Sequence, residues 1–301
     1  MSCYCLTEPS AGSDANSGKA KAVLTEDGKH YIINGQKMWI SNGGFAHIFI
    51  TFARIGDDKY LSCFIIEKTY EGVSLGNEEP KLGLNSSSTR MVYFEDVKVP
   101  VENLLGGRGK GFYIAMNALN GGRIKVCSAT LDNARSVVTD SVKYANERKQ
   151  FKVPISSFGA IQAKLADQAM TIYAGESLVY RSGFEIENNQ SRLKAEGKDL
   201  GEAYIKGISE YAIECSIAKV FGSEGLQFVT DEGIQIYGGM GYSGEAPMEA
   251  AYRDARIYRI YEGTNEINRI VIVGFLMKSA LNGQLDFLSS GKSLLDKISK
   301  G

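Results

Sequence analysis

The sequence predicts an α+β chain in which an antiparallel β-barrel domain precedes an antiparallel helical bundle. Short apolar runs bounded by Gly, Asp or Asn fill the first hundred residues, as in all-β domains. A glycine-rich stretch, residues 106–111, ends that pattern. Beyond it, apolar residues recur at helical spacing. We therefore expect a β-barrel over residues 1–105, a helical bundle over residues 106–282 and a tail over residues 283–301.

The strands of the first domain are predicted from their turns. Asp27-Gly28 lies between two apolar runs and is a strong signal for a two-residue hairpin. Asn34-Gly35 follows shortly afterwards and predicts a second turn, which would separate residues 31–33 from residues 38–40. Further extended runs are residues 48–52, 61–66 and 91–94.

The helices of the second domain are predicted from apolar residues that share a face. The first stripe is Ile124, Leu131, Val138, Val142 and Ala145; the second is Ile161, Leu165, Ala169, Ile172 and Val179; the third is Ile205, Ile208, Ala212 and Cys215. Residues 188–198 are polar and predict a loop between long helices, and residues 263–282 predict a final helix. The glycine-rich stretch lacks phosphate-loop spacing and predicts a flexible connector.

Composition excludes several classes of protein. A net charge of −1 over 301 residues gives no electrostatic reason to bind nucleic acid or an anionic membrane. No apolar run has the length of a transmembrane helix. Five scattered cysteines and two histidines, His30 and His47, predict reduced, packed thiols and no metal site.

Two stretches of the first domain could bind a cofactor. Residues 4–14 form a strand that runs into a turn of small residues. Its backbone amides and the hydroxyls near Gly12 could contact phosphate or the edge of a flavin, although a plain turn is the alternative. Trp39, the only tryptophan, precedes a hydroxyl and two glycines. Its indole could pack on an aromatic cofactor or in the core.

Three features of the second domain could carry chemistry. Arg148 offers a fork for pyrophosphate, or belongs to a solvated helix end. Gly238 and Gly239 allow a ligand close to the backbone, or end a helix. Glu262 lies between an aromatic run and Gly263. If Ile and Tyr wall its carboxyl group, loss of hydration raises its pKa toward that of a working base; a solvated loop acid is the alternative.

Together these stretches closely resemble the acyl-CoA dehydrogenase family. The resemblance rests on residues 4–14, 34–42, 94–100 and 261–264, and it extends in family order from residue 3 to about residue 278. Residues 119–123 and 237–262 are most similar to the very-long-chain branch. Family members normally begin with an all-helical domain that has no counterpart here, so we expect the chain to be a fragment of a longer enzyme.

The resemblance implies an FAD site between the two domains. The residues that would contact the flavin and ribityl chain, or flank the ring, are Tyr4, Leu6, Thr7, Gly12, Ser13, Trp39 and Ser41. Those that would reach the FAD of a neighbouring subunit are Arg148, Phe151, Gln235 and Gly239, while Thr264 and Glu266 would close over the cofactor. The substrate-contacting positions are Ser13, Arg123 and Gly263.

The implied activity is α,β-dehydrogenation of a medium- to very-long-chain fatty acyl-CoA to trans-2-enoyl-CoA in fatty acid β-oxidation. The resemblance assigns Glu262 to remove the α-proton while flavin N5 takes the β-hydride. The backbone N–H of Glu262 and a ribityl hydroxyl would polarise the thioester carbonyl. Some branches place the base one residue before the arginine matched by Arg123. That position is Gly122 here, which cannot accept a proton.

The resemblance also implies partners. Electron-transfer flavoprotein would accept the electrons, and the chain would form a homodimer or homotetramer. The compartment would be the cytoplasm of a bacterium or the mitochondrial matrix of a eukaryote. Two alternatives stay open: an acyl-CoA oxidase, in which oxygen reoxidises the flavin, and a catalytically incompetent scaffold or assembly protein of the same fold.

Overall fold

The computed structural model describes residues 1–283 and residue 291, so the predicted tail lies almost entirely outside the described residues. Contacts divide the chain into a unit of residues 1–119 and a unit that begins at Asn120. The first unit contains β1 (Ser2–Cys5), β2 (Lys21–Leu24), β3 (His30–Ser41), β4 (Ile48–Ile55), β5 (Ser62–Glu67), β6 (Val73–Glu78), β7 (Thr89–Pro100) and β8 (Leu104–Leu105).

Eight strands of the first unit form one open sheet. The order is β6-β7-β3-β2-β4-β5-β8, and β1 also pairs with β4. Both β1 and β2 run parallel to β4, while the other pairings are antiparallel. Within the described residues no pairing joins β6 to β8. The prediction of a β-rich first domain is thus right, but a closed, wholly antiparallel barrel is not what the pairings show.

The two parallel pairings share one edge of β4. Strand β1 lies against residues 48–51, and β2 lies further along against residues 54–55. Because β1 and β2 run in the same direction, a hairpin cannot join them. Residues 6–20 instead loop out from the sheet between them.

One predicted turn is confirmed and the other is wrong. Asp27-Gly28 does connect β2 to β3 as an antiparallel hairpin, with Gly28 at φ 70°. Asn34-Gly35 lies inside a continuous β3, at a register shift between β3 and β7 that marks a bulge. A Cβ at Gly35 would lie 2.7 Å from the Cβ of Ala20, so this glycine serves a close approach rather than a chain reversal.

The glycine-rich stretch is held to the sheet region. Arg108 forms two hydrogen bonds of 2.7 Å with the carboxylate of Asp58. The N–H of Gly109 donates to Ser62 Oγ at 2.8 Å. The N–H of Gly111 donates to Leu61 O at 2.7 Å. These bonds fix the start of the first helix, so the predicted flexible connector is an ordered loop.

The helices are α1 (Gly111–Glu147), α2 (Gly159–Ala195), α3 (Leu200–Ser209), α4 (Ala212–Tyr237), α5 (Gly239–Tyr242), α6 (Pro247–Ala255) and α7 (Asn265–Leu281). Two hairpin-like strands, β9 (Lys149–Gln150) and β10 (Val153–Pro154), follow α1. None of the described helices combines the length and the apolar character that a bilayer span requires. The helices α1 to α7 confirm the prediction that the second domain is helical, and α7 is the predicted final helix.

The predicted loop at residues 188–198 is wrong over most of its length, because α2 continues to Ala195. Asn189 is buried there, and its side-chain amide donates to Gly207 O at 3.2 Å and to Glu210 at 2.6 Å. Leu193 is also buried. Contacts with the helix α3 region thus satisfy polar groups that, in the sequence alone, look solvated.

The unit boundary lies beyond the predicted domain boundary at residue 105. The first turns of α1 belong to the first unit, because Ala115 is buried in a cluster with Leu6, Phe52 and Cys63. In the second unit, the core joins α1, α2, α4 and α6 through buried residues that include Val137, Ile172, Leu226, Val229 and Met248.

Candidate functional site

A buried ion pair shapes the loop between β1 and β2. Glu8 accepts hydrogen bonds from Lys37 Nζ at 2.6 Å, from the N–H of Lys19 at 2.5 Å and from the N–H of Ala20 at 3.2 Å. Lys37 Nζ also donates to Leu6 O at 3.2 Å. Both charged side chains are almost fully buried. Burial lowers the pKa of Lys37, and the Glu8 carboxylate opposes that shift.

Sequence reasoning missed this pair. The feature that could have revealed it is the position of Lys37 in β3. Side chains alternate between the two faces of a strand, and Lys37, four residues after Ile33, falls on the same inward face. A charge at such a position needs a partner, because an isolated buried ammonium is strongly unfavourable. Glu8 is that partner.

The same loop presents the predicted flavin-contacting residues. Thr7 O accepts the N–H of Met38 at 2.9 Å, so the loop is hydrogen-bonded to β3 immediately before Trp39. Leu6 is buried, while Gly12 and Ser13 are exposed. Tyr4 is half-buried, and its hydroxyl donates to Ala115 O at 3.3 Å. The structure thus brings the loop and the Trp39 region together.

Trp39 is not a core residue of this chain, because it is 53% exposed. Its φ is 59°, and the register between β3 and β7 is irregular from Lys37 to Ile40. A non-glycine residue at positive φ is unfavourable by about 1–3 kcal/mol, and such residues often occur at binding sites. Ser41, also exposed, lies two residues further along β3. An aromatic face and a hydroxyl are thereby presented together.

In the second unit, Glu262 occupies a turn between a 3-10 helix, Arg256–Arg259, and α7. Both Glu262 and Gly263 have positive φ, at 57° and 81°. Thr264 caps α7, because its Oγ1 accepts the N–H of Ile267 at 3.2 Å. Glu262 therefore lies in a break immediately before a new helix, as the sequence predicts.

The carboxyl group of Glu262 is not solvated in the way an ordinary loop acid is. Its Oε2 atom is buried and has no hydrogen-bond partner among the described residues. Burial raises the pKa of Glu262, and the positive charges of Arg123 and Lys219 oppose that rise. A carboxylate whose pKa is raised in this way accepts a proton more readily than a solvated surface carboxylate.

Cationic and amide donors hold the carbonyl groups of the turn. Arg123 Nε donates to Glu262 O at 3.2 Å, and Lys219 Nζ donates to Gly263 O at 2.8 Å. Asn268 Nδ2 donates to Gly263 O at 2.8 Å and to Thr264 O at 3.0 Å. These bonds offset the unfavourable backbone conformation at Glu262. Sequence reasoning missed Lys219 and Asn268.

Arg123 is buried and faces several partners. Its Nη1 donates to Asn120 Oδ1 at 3.0 Å and to Ser216 Oγ at 3.3 Å, in addition to its bond to the carbonyl of Glu262. The structure therefore brings together the predicted substrate residues Arg123 and Gly263 with Glu262. A direct contact of Arg123 with substrate stays a prediction.

Gly122 makes room for the carboxylate. A Cβ placed on Gly122 would lie 2.4 Å from Glu262 Oε2, which is closer than non-bonded atoms approach. The position before Arg123 and the side chain of Glu262 therefore compete for the same space. A glycine there is compatible with a base at Glu262.

The remaining predicted cofactor residues lie at the ends of α1 and α4. The rings of Tyr144 and Tyr237 stack with centroids 3.9 Å apart and join the two helix ends. Phe151 is 89% exposed at φ 51°, in the connection between β9 and β10. All four residues predicted to reach the FAD of a neighbouring subunit are exposed at or near these helix ends: Arg148, Phe151, Gln235 and Gly239. Glu266 is exposed in the first turn of α7.

Family comparisons cover both units. The family model described as "Acyl-CoA dehydrogenase, middle domain" matches residues 3–97, and "Acyl-CoA dehydrogenase, C-terminal domain" matches residues 109–277. A probable acyl-CoA dehydrogenase of Bacillus subtilis (strain 168) is 47% identical over 99% of this chain and 50% of its own length. The mitochondrial very long-chain specific acyl-CoA dehydrogenase of Bos taurus is 40% identical over 98% of this chain and 42% of its own length.

A solved structure is similar throughout the chain. The acyl-CoA dehydrogenase of Bacillus anthracis complexed with FAD has a TM-score of 0.96 and 48% identity, over 99% of this chain and 51% of that one. The chain thus spans about half the length of these relatives. Two family models that match most of its length show that the chain belongs to the acyl-CoA dehydrogenase family.

Proposed function

We propose that the chain takes part in FAD-dependent dehydrogenation of a fatty acyl-CoA at the α,β bond, which yields a trans-2-enoyl-CoA in fatty acid β-oxidation. The observation that carries this proposal is the carboxyl group of Glu262, whose Oε2 is buried and lacks a hydrogen-bond partner in the part of the chain that the structure describes. Membership of the family and the FAD held by the Bacillus anthracis relative support it.

Glu262 is the proposed base. An α-proton next to a thioester is weakly acidic, so its removal needs a positioned base and a polarised carbonyl group. The unpaired Oε2 would accept the proton, and the backbone N–H of Glu262 would donate to the thioester oxygen. Burial supports this role because it raises the proton affinity of the carboxylate. A positioned general base contributes about 10²–10⁴-fold to rate.

The first unit offers surfaces that fit FAD. Trp39 presents an exposed indole for a flat ring system, and the same unit carries hydroxyl groups at Thr7, Ser13 and Ser41. Gly12 leaves the backbone open, because a Cβ there would meet nothing within 4 Å. When bound, FAD would accept the hydride from the substrate β-carbon. In the second unit, Thr264 and Glu266 are the proposed FAD contacts near Glu262.

The second unit would complete the FAD site of another copy. We assign this role to Arg148, Phe151, Gln235 and Gly239, which lie exposed at the ends of α1 and α4. An arginine fork suits pyrophosphate, and an exposed phenylalanine suits an adenine ring. This arrangement supports a homodimer or homotetramer. The other proposed partners are acyl-CoA, contacted by Ser13, Arg123 and Gly263, and electron-transfer flavoprotein, in a bacterial cytoplasm or a mitochondrial matrix.

Loss of flavin colour tests the proposal. The FAD-loaded chain is mixed anaerobically with saturated acyl-CoA thioesters of increasing length, and its visible absorbance is followed. We expect bleaching with at least one medium- to very-long-chain thioester. Glu262→Gln should bleach at least about 100-fold more slowly while retaining FAD. Glu245→Gln, a change of the same type at an exposed acid, is the control.

Three results would contradict parts of the proposal. Bleaching of Glu262→Gln at the wild-type rate would remove the base assignment. FAD binding without bleaching at any chain length would indicate the scaffold alternative. Rapid recovery of colour in air would indicate an oxidase rather than a dehydrogenase.

A further inference from the structure

Lys219 is a fully buried lysine beside the turn that carries Glu262. It lies on the buried face of α4 between Ser216 and Ser223, and its relative exposure is 0%. Its Nζ donates to Gly263 O at 2.8 Å and to Asn265 Oδ1 at 2.7 Å. A buried ammonium group requires strong acceptors, and one of the two used here is the backbone of the catalytic turn.

A hydrogen-bond network fixes the acceptor on Asn265. The Nδ2 group of Asn265 donates to Glu224 Oε1 at 3.1 Å and to Ser223 Oγ at 3.0 Å. Because a carboxylate only accepts, the amide nitrogen must face Glu224 and the amide oxygen must face Lys219. Arg269 holds Glu224 in place with bonds of 2.8 and 2.9 Å. The position of the lysine ammonium is therefore strongly determined.

The charges around Lys219 come from three helices and the turn. Arg123 on α1 is a like charge, and Glu224 on α4 is already paired with Arg269 on α7. Glu266 on α7 is exposed, whereas Glu262 in the turn is half-buried. Tyr261 precedes Glu262 in the chain, and its ring packs edge-on against that of Tyr258, with centroids 5.3 Å apart. Among these acids, Glu262 combines partial burial with a carboxylate oxygen, Oε2, that has no hydrogen-bond partner in the described part of the chain.

Electrostatics link the two groups in both directions. Burial lowers the pKa of Lys219 to about 8, Arg123 adds to this, and the negative charge of Glu262 opposes it. Burial raises the pKa of Glu262, and the positive charges of Arg123 and Lys219 oppose that rise. Neither carboxylate oxygen of Glu262 needs to contact Lys219 for this coupling, because charges attract through a poorly solvated interior.

We propose that Lys219 positions Glu262: its ammonium group fixes the turn through the carbonyl of Gly263 and, together with Arg123, supplies the positive charge that keeps the Glu262 carboxylate ionised. The proposal deepens the assignment of Glu262 as base and rests on it. A base must be ionised to accept a proton, yet burial favours the protonated form. Lys219 offsets that effect without forming a hydrogen bond that would occupy Oε2.

Carboxyl titration tests the charge part of the proposal without substrate. The full chain is labelled with ¹³C at glutamate side chains, and the Glu262 signal is identified by its absence from Glu262→Gln. We expect the titration midpoint of Glu262 to move to higher pH in Lys219→Met and Lys219→Gln. Lys219→Arg should retain the wild-type midpoint, because the positive charge is kept. Ser223→Ala, which alters the same network without a charge, should also retain it.

Kinetics test the positioning part. In the FAD-loaded chain, Lys219→Met should lower kcat by roughly 10- to 100-fold, because small displacements of a base are costly, with little change in KM. The acid limb of its pH–rate profile should move to higher pH with the carboxyl midpoint. A role in folding alone would move neither the limb nor the midpoint.

Two outcomes would overturn the proposal. One is an unchanged Glu262 midpoint in folded Lys219→Met and Lys219→Gln. The other is an equal shift in Ser223→Ala, which would indicate general loosening of the turn. The two proposals can fail separately. If the Glu262 midpoint shifts as expected but acyl-CoA does not bleach the flavin, the charge coupling is supported and the proposed function is overturned.

A reciprocal measurement needs no Lys219 variant. If the two charges interact, replacing Glu262 with Gln must lower the pH at which Lys219 titrates, because each group shifts the other by the same free energy. The Nζ resonance of ¹⁵N-labelled lysine reports this midpoint. A Lys219 midpoint that is the same in the wild type and in Glu262→Gln would overturn the proposal even if every Lys219 variant failed to fold.

Discussion

At the scale of single residues, Gly122 controls the space around the proposed base. In Gly122→Ala, the new Cβ would lie 2.4 Å from Glu262 Oε2, so the carboxylate must move. We expect flavin bleaching by acyl-CoA to slow by roughly 10- to 100-fold, with FAD still bound.

The neighbouring glycine provides a matched control for that change. A Cβ on Gly121 would lie 3.5 Å from Ile208 Cδ1, which is an ordinary contact. Both substitutions lie in α1, where Ala favours the helix over Gly by about 1 kcal/mol, so their effects on helix stability should be alike. Equal bleaching rates for Gly122→Ala and the wild type would show that Glu262 does not act from this position.

Glu262 should also affect stability in a pH-dependent way. Burial raises its folded-state pKa, so the folded chain binds a proton more tightly than the unfolded chain does. The stability associated with that proton is present at acid pH and is lost as pH rises through the folded-state pKa. We therefore expect Glu262→Gln to melt at higher temperature than the wild type at pH 7.

The difference in melting temperature between the two proteins should become smaller as the pH falls, because the wild-type carboxyl group then becomes protonated and neutral. Circular dichroism melts at several pH values measure this. A variant that melts at lower temperature than the wild type at neutral pH would mean that ionised Glu262 stabilises the fold.

The candidate site was partly predictable at this scale. The aromatic run, the Gly-Thr break and the new apolar run around Glu262 made it a candidate, and the family resemblance assigned it the role of base. Lys219 could not, because its acceptor Gly263 is 44 residues away in the chain. A lysine among small residues on one face of α4 is also compatible with a solvated face. Only the tertiary packing shows whether such a lysine is buried or solvated.

At the scale of structural elements, the Glu8–Lys37 pair connects β3 to the loop before β2. In Lys37→Met, the Glu8 carboxylate stays buried without its cation, so we expect a loss of about 3–5 kcal/mol in the free energy of unfolding. Urea unfolding followed by circular dichroism measures it.

Two further variants test whether the charge itself is responsible. Glu8→Gln combined with Lys37→Met removes both charges and should recover part of the loss. Lys21→Met, at an exposed ion pair on β2, should cost no more than about 1 kcal/mol. If the double variant were less stable than Lys37→Met alone, packing rather than an unpaired charge would explain the effect.

The elements themselves followed sequence patterns where those patterns are local. The Asp27-Gly28 hairpin and the final helix are examples, since turn chemistry and helical spacing act over a few residues. The predictions were wrong where contacts with residues distant in sequence determine the local structure. Asn34-Gly35 bulges inside β3 because β7 and Ala20 pack against it, and α2 extends through polar residues because Gly207 and Glu210 bind Asn189.

At the scale of the whole molecule, five free and buried thiols are distributed over both units. Burial raises the pKa of Cys63 to about 12, of Cys127 to about 11 and of Cys215 to about 12. At pH 8, a thiol with a pKa of 12 is ionised in only about one molecule in 10⁴, and the thiolate is the reactive form.

We therefore expect the native chain to react with iodoacetamide at least about 10³-fold more slowly than the urea-unfolded chain at pH 8. Mass spectrometry of the labelled peptides would assign the reaction to each cysteine. Rapid native labelling of Cys127 or Cys215 would show that the second unit opens locally far more easily than its buried core implies.

The position of β1 has a consequence for biosynthesis. Residues 2–5 pair with residues 48–51, which leave the ribosome much later than β1 does. Until then, the nascent chain carries an unpaired strand edge with Cys3 and Cys5 open to solvent, although both are buried in the finished fold. Pairing with β4 and burial in the finished fold remove that exposure, so these two thiols should react most readily with an oxidant before β4 has emerged.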